Sequence, residues 1–191
     1  LAVHARASDD GVFGPLDDGA AKPQLASREE LGAIVAAIVA ESAPETPDAP
    51  QLVVVNATVS PCRVTYDREC TEYPAADADE LGVAPGDRAT LLEASSEPAS
   101  IPCPDLPRVT CLSQDELTAV LGKRDWDAYY RRFGRGAFMQ FSPPLLSADG
   151  SRAIVYMAAY CGSLCAHGQR ITLGLRDGKW VIVAREGLWI S

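Results

Sequence analysis

Six cysteines fall along this chain as three close couples: Cys62 with Cys70, Cys103 with Cys111, and Cys161 with Cys165. Many pairings are formally open to six cysteines. Neighbour pairing is the economical one, because each couple brackets a short segment with proline, glycine or charged residues that can turn the chain back on itself. Chain-entropy arguments give each such small loop about 2–3 kcal/mol, so three of them rival half of a domain stability of about 5–15 kcal/mol. Crosslinks of this kind persist in an oxidising compartment. The competing reading is a cytosolic protein whose cysteines are reduced and buried.

A length of 191 residues predicts one domain with a real core. Hydrophobic residues make up 47% and charged residues 23%, which excludes a disordered polymer, a collagen and a coiled coil. The net charge of -9 repels phosphate backbones and anionic lipid, so nucleic acid is excluded as a partner. The longest apolar run, Leu31 to Ala40, is about half the roughly 20 residues of a membrane helix, so no transmembrane segment is expected. At the start, Ala5-Arg6-Ala7 has the small-x-small form of a signal-peptidase site and reads either as a signal-peptide remnant or as an Ala-rich start. Lys22, Lys123 and Lys179 are the only lysines and Asn56 the only asparagine, a bias that suggests a GC-rich bacterial gene. With the cysteines, these features place the protein outside the cytoplasm, secreted or periplasmic.

Residues 1–26 carry Asp-Gly and Gly-Pro punctuation and read as a flexible arm, leaving 27–191 as a single α+β domain. Ser27-Arg28-Glu29-Glu30 is a capping box, followed by Leu31, Ile34, Val35, Ile38 and Val39 on one helical face. Pro44, Pro47 and Pro50 end that helix, and Leu52 opens a strand reaching about Val59. Residues 60–88 read as a long loop stapled at Cys62 and Cys70, and Ala84-Pro85-Gly86-Asp87 as a turn into a strand near 89–94. Arg108 to Leu112 is strand-like, Ser113-x-x-Glu116 opens a helix closing at Gly122, and Asp125 caps a helix ending at Gly134.

The last third predicts an antiparallel meander with strands near 137–142, 152–161, 169–176 and 179–190. If Asp177-Gly178 is a two-residue hairpin, Leu175 faces Trp180, Leu173 faces Ile182, Ile171 faces Ala184 and Arg170 faces Arg185. Pro143-Pro144 makes the first of these strands an edge or a short one. The segment 152–161 is apolar on both faces and belongs in the centre. The fold expected is helices packed on a mainly antiparallel sheet with a C-terminal β-meander, by analogy a cystatin-like roll.

Trp126-x-x-Tyr129-Tyr130-x-x-Phe133, Phe141-Ser142, Ser147-x-Asp149-Gly150, Cys161-Gly162-x-Leu164-Cys165 and Trp189-Ile190-Ser191 together resemble a group of uncharacterised bacterial secreted proteins with a C-terminal Cys-Gly-x-Leu-Cys segment and a Trp-Ile-Ser end. Those relatives commonly have Gly-x-Gly after Leu-Cys, where this chain has Ala166-His167-Gly168. The resemblance covers residues 113–191 and implies an extracytoplasmic domain, with no particular activity.

The sharpest chemical cluster is Cys161, Cys165 and His167. Structural zinc takes four ligands and these supply three, so a disulfide at the loop mouth is favoured over a metal or redox site. Ser163 near His167 is the one nucleophile-base couple, without a Gly-x-Ser-x-Gly elbow. Glu69 with Glu72 and Asp115 with Glu116 read as a solvated loop and a capping box before they read as acid-base pairs. Lys123, Arg124, Arg131, Arg132 and Arg135 interleave with Trp126, Tyr129, Tyr130 and Phe133; an amphipathic helix with its aromatic side inward explains this better than a nucleic-acid platform. Trp126, Tyr130, Arg131 and Arg135 remain as a candidate surface for a small molecule, a glycan or a protein. Asn56-Ala57-Thr58 has the form of a glycosylation sequon but lies in a predicted strand and is discounted. No cofactor motif is present. The chain therefore reads as a non-catalytic binding or interaction module, with a thiol, metal or hydrolytic enzyme built on the Cys161-Cys165-His167 loop as the alternative.

Overall fold

A computed structural model describes residues 22–191 apart from positions 45, 68, 123 and 124. The signal-peptide reading and most of the arm lie outside the described residues. Within the former arm, β1 (Gln24–Leu25) pairs antiparallel with β5 (Leu145–Leu146).

The sheet is organised by β6 (Arg152–Gly162), whose side chains alternate between two apolar layers. Ala153, Val155, Met157 and Ala159 face α1 (Arg28–Ser42), while Ile154, Tyr156 and Ala158 face the helices of the opposite side. A strand buried on both faces loses its polar alternation, which is why its central place was readable from composition. β6 pairs antiparallel with β7 (Cys165–Arg176) along one edge and with β4 (Phe138–Phe141) and β5 along the other. β4 continues in parallel to β2 (Leu52–Val55), and β2 in parallel to β3 (Val109–Leu112). β8 (Lys179–Ile190) closes the meander on β7. The class is α+β, with a mainly antiparallel sheet of eight strands. The sheet stays open, with helices against both faces of its centre and β8 largely exposed at its end, instead of rolling around one helix.

Helix α1 forms where its capping box is complete: the Ser27 amide donates to Glu30 Oε2 at 2.8 Å and the Glu30 amide to Ser27 Oγ at 3.3 Å. Its stripe of Leu31, Ile34, Val35, Ile38 and Val39 is fully buried, and each such side chain contributes about 1.5–3 kcal/mol relative to exposure. On the other face lie α2 (Pro61–Thr65), α3 (Ala75–Leu81), α4 (Arg88–Ser96), α5 (Gln114–Leu121) and α6 (Trp126–Phe133). The boxes at Ser113/Glu116 and the Asp125 cap, which accepts from the Ala128 amide at 3.1 Å, open α5 and α6 as expected.

Three expectations are corrected. Residues 60–88 hold α2, α3 and a 3₁₀ turn at Pro85–Asp87, and 89–94 is helical. Pro61 at the first helical position and Gly82 in the left-handed conformation (φ 78°) delimit α2 and α3. The 3₁₀ turn at Pro85 leads directly into α4, which buries Arg88, Leu92 and Ser95 on one side. β4 lies inside the sheet and meets the other expected alternative, ending early at Phe141 ahead of Pro143. In the terminal hairpin Leu175 faces Trp180 and Leu173 faces Ile182, but Val183 is bulged out, so Ile171 faces Arg185 and Arg170 faces Glu186. The bulge replaces a like-charge pair with opposite charges and interrupts the exposed edge of the sheet.

The three disulfides are local: Cys62–Cys70, Cys103–Cys111 and Cys161–Cys165. Among the described residues no helix is long and apolar enough to cross a membrane.

Ile38 lies wholly within the α1 layer, so Ile38→Ala is expected to lower unfolding stability by about 2–5 kcal/mol in urea titration. Asp149 accepts from the Ser147 hydroxyl, the Ser151 amide and the Ser151 hydroxyl, which holds its carboxyl down to about 2. A folded value below the unfolded one adds stability above about pH 4 that disappears as pH falls through about 2. Melting temperature measured across that range should fall less steeply in Asp149→Asn than in the native protein.

Candidate functional site

Where the second layer of helices parts between α2 and α5, aromatic rings come to the surface. Tyr160, the last inward-facing ring of β6 on this side, stacks on Phe138 of β4 with centroids 4.9 Å apart and planes at 20°. Phe138 stacks in turn on Trp126 at 5.9 Å and 14°. The result is a row of three rings whose planes run nearly alike. Trp126 and Tyr130 are half-buried at the rim, while Tyr129 and Phe133 of the same helix fill the core. The aromatic side of α6 thus faces inward and also supplies a rim.

Tyr66 forms the opposite wall. It is the C-cap of α2, in the left-handed conformation with φ 58°, and its amide donates to the Cys62 carbonyl. Such a backbone costs a non-glycine residue about 1–2 kcal/mol and persists when its surroundings hold it. The Cys62–Cys70 bond closes the loop around it, Trp189 meets its ring edge-on at 4.7 Å, and its hydroxyl lies 3.4 Å from that of Tyr160. The Tyr66 side chain is nevertheless 58% exposed. Burial, then the hydrogen bond with Tyr66, pushes the Tyr160 phenol above its usual range, so its hydroxyl stays protonated at neutral pH.

Two hollows adjoin along Tyr66, Leu121 and Tyr160. The smaller, about 260 Å³, is also lined by Trp126 and Ser163, and the larger, about 320 Å³, by Arg63, Gln114, Phe138 and Gln140. Gln140 is buried in the floor and donates to Gln114 Oε1 at 3.0 Å. The β6–β7 tip overhangs the smaller hollow: Cys161–Cys165 closes it, and the Tyr130 hydroxyl donates to the Cys161 carbonyl at 2.6 Å. Arg135 lies over the Tyr130 ring at 5.3 Å, and Arg131 is exposed and lines neither hollow.

The structure does not unite Ser163 with His167. Ser163 borders the smaller hollow, whereas His167 pairs in register with Ala159 and opens on the α1 face into a cleft of about 630 Å³. There Glu41 accepts from Arg185 at 2.9 Å, and Arg185 also donates to Gln169 at 3.1 Å. Cys161 and Cys165 are bonded to each other, so with His167 they form a crosslinked tip and not a thiolate ligand set. Among the described residues no three His, Cys, Asp or Glu side chains converge in a group able to hold a metal.

A buried ionic knot lies deeper in the same layer. Asp77 of α3 accepts from the Tyr156 hydroxyl and from Arg170, and Glu80, one turn on, accepts from Arg170 and Arg152. Burial raises Asp77 above the usual carboxylate range against the pull of Arg170. The lesser burial of Glu80 is outweighed by its bonds to Arg170 and Arg152, which lower it. The knot ties α3 to β6 and β7, with Asp77 buried at its inner end and Arg152 exposed at its outer end.

Tyr66, Tyr160, Arg63, Gln114 and Gln140 were not singled out by the sequence. The available signals were Tyr156 and Tyr160 on the same side of a two-faced strand and an aromatic residue inside the first cysteine loop. Comparison of the chain with protein-family models, with curated proteins and with solved structures finds no match.

A Cβ on Gly168 would meet the Trp189 indole nitrogen at 2.1 Å, and that nitrogen donates to the Val64 carbonyl of α2 at 2.7 Å. Gly168→Ala should therefore displace Trp189, lower stability by about 1–3 kcal/mol and shift tryptophan emission. Unchanged emission and stability would show that the ring does not rest there.

Proposed function

We propose that this chain is a disulfide-stabilised extracytoplasmic domain, secreted or periplasmic and of bacterial origin, that binds its ligand without transforming it. The ligand face is the aromatic cleft between Tyr66 and Trp126. One observation carries the reading: a large ring, more than half exposed, is held in a backbone conformation that only its surroundings make tenable. Stability alone would favour glycine there. Hollows lined by aromatic rings and a few polar groups are the usual form of a ligand site. Three short disulfides and the resemblance of the C-terminal region to secreted proteins support the compartment.

A second reading, an enzyme using His167, has one observation in its favour, the shared opening of His167 and Glu41 into the cleft on the α1 face. Arg185 already occupies Glu41, which leaves the imidazole without a shown acid or base partner.

The discriminating variant is Tyr66→Gly, which removes the ring and relieves the backbone at once. Ligand-observed NMR with a library of small ring compounds should yield binders whose affinity falls tenfold or more in Tyr66→Gly and is unchanged in His167→Ala. Urea titration should show Tyr66→Gly still folded. Binders that depend on His167 and ignore Tyr66 would transfer the function to the other face.

A further inference from the structure

We infer that the cleft, read as above as a ligand site, receives a proline-rich peptide segment of a partner protein in the polyproline II conformation. This deepens the proposed function by naming the ligand class, and it rests on three features of the lining.

The first is shape. The hollows of about 260 and 320 Å³ are separate but adjoining, divided by the ridge of Tyr66, Leu121 and Tyr160. A polyproline II helix repeats every three residues and about 9 Å, presenting compact rings at intervals to one side. The row Trp126–Phe138–Tyr160, with adjacent centroids 5.9 and 4.9 Å apart, is of that scale. The smaller hollow is bordered by Trp126 and Tyr160 and the larger by Phe138 and Tyr160, so each offers aromatic surface to a pyrrolidine ring.

The second is hydrogen-bonding sense. Among the described residues, no Asp or Glu side chain lines either hollow, although the chain carries 26 acidic residues. The lining offers donors instead. Arg63 is a pure donor. Tyr66 and Tyr160 share a single hydrogen bond, which leaves one O–H to give away. Gln140 commits one amide hydrogen to Gln114 and retains another, and Ser163 adds a hydroxyl. A proline backbone has carbonyl acceptors and no N–H donor, so it matches such a surface. A sugar ring brings a hydroxyl hydrogen at most positions, and no Asp or Glu side chain lines either hollow to receive it.

The third is economy of ordering. The cleft is open on its outer side and Tyr66 is largely exposed, so a flexible ligand would lose much freedom for modest burial. A polyproline segment is already extended and has little freedom to lose, which is why aromatic grooves take it.

The test is a titration of the oxidised native protein with an oligoproline of about nine residues, three turns of the helix. It is run beside an alanine-serine peptide of equal length and a neutral cello-oligosaccharide, and followed by amide and side-chain NMR shifts. Saturable binding of oligoproline alone is expected. Shifts should be concentrated at Tyr66, Trp126, Tyr160 and the Gln140 side-chain amide, with at least a tenfold loss of affinity in Tyr66→Gly. Binding of the oligosaccharide at these residues with no response to oligoproline would overturn the peptide class and leave the cleft as a binding site. Oligoproline shifts centred elsewhere, or no response to oligoproline, would overturn the inference. The ring-compound screen then tells whether the cleft binds at all.

Discussion

Every layer of this molecule is referred to one strand. β6 gives its odd-numbered residues from Ala153 to Ala159 to the α1 core and its even-numbered ones from Ile154 to Ala158 to the opposite helices. A slip of one residue would exchange the two sets. The exchange would bring Tyr156, which holds Asp77, into the α1 layer, and take Tyr160 off Phe138. The two cores and the aromatic cleft are therefore consequences of one register. Hydrogen bonds to β4 and β5 on one edge and to β7 along the other pin it.

Covalent closure acts where that sheet offers little. Helix α2 has five residues, far too few to persist alone, and its Cys62 bond to Cys70 lies beside the left-handed Tyr66. Cys161–Cys165 closes the tip of β6 and β7 beside the smaller hollow, and Cys103–Cys111 fastens the proline-rich approach to β3. Two of the three bonds thus border the cleft. In both, a rigid loop presents a group to solvent, Tyr66 in one and Ser163 in the other. A loop stiffened in this way binds at lower entropic expense than a free one.

Sequence patterns with a local cause were legible. The Ser27/Glu30 and Ser113/Glu116 boxes, the Asp125 cap and the Asp177-Gly178 turn each act within a few residues, and each lies where it was expected. The two-faced composition of β6 was legible for the same reason. What escaped depends on distant partners. Helices α3 and α4 are short, and they stand because Ala78 and Leu81 are buried in the β6 layer, Leu91 packs against it and Asp77 is clasped by Arg170. The Val183 bulge shifts the pairing of β7 with β8 beyond Leu173, and no residue near the turn signals it. The cleft is the extreme case. Its walls are gathered from residues 63 to 66, 114 to 126, 138 to 140, 160 to 166 and Ser191, so no contiguous motif announces it. Of its rings only Trp126 was named beforehand, and Tyr130, named with it, stands just outside at the rim.

The first cysteine loop holds Tyr66 against Trp189 and Tyr160. Nuclear Overhauser contacts between the Tyr66 ring and the Trp189 indole report this arrangement directly, measured in the oxidised protein and in a variant with Cys62 and Cys70 both changed to serine. The account predicts strong contacts in the oxidised protein that fade in the variant, while β6–β7 cross-strand contacts persist in both. A Tyr66 ring with no contact to Trp189 in the oxidised protein would contradict it.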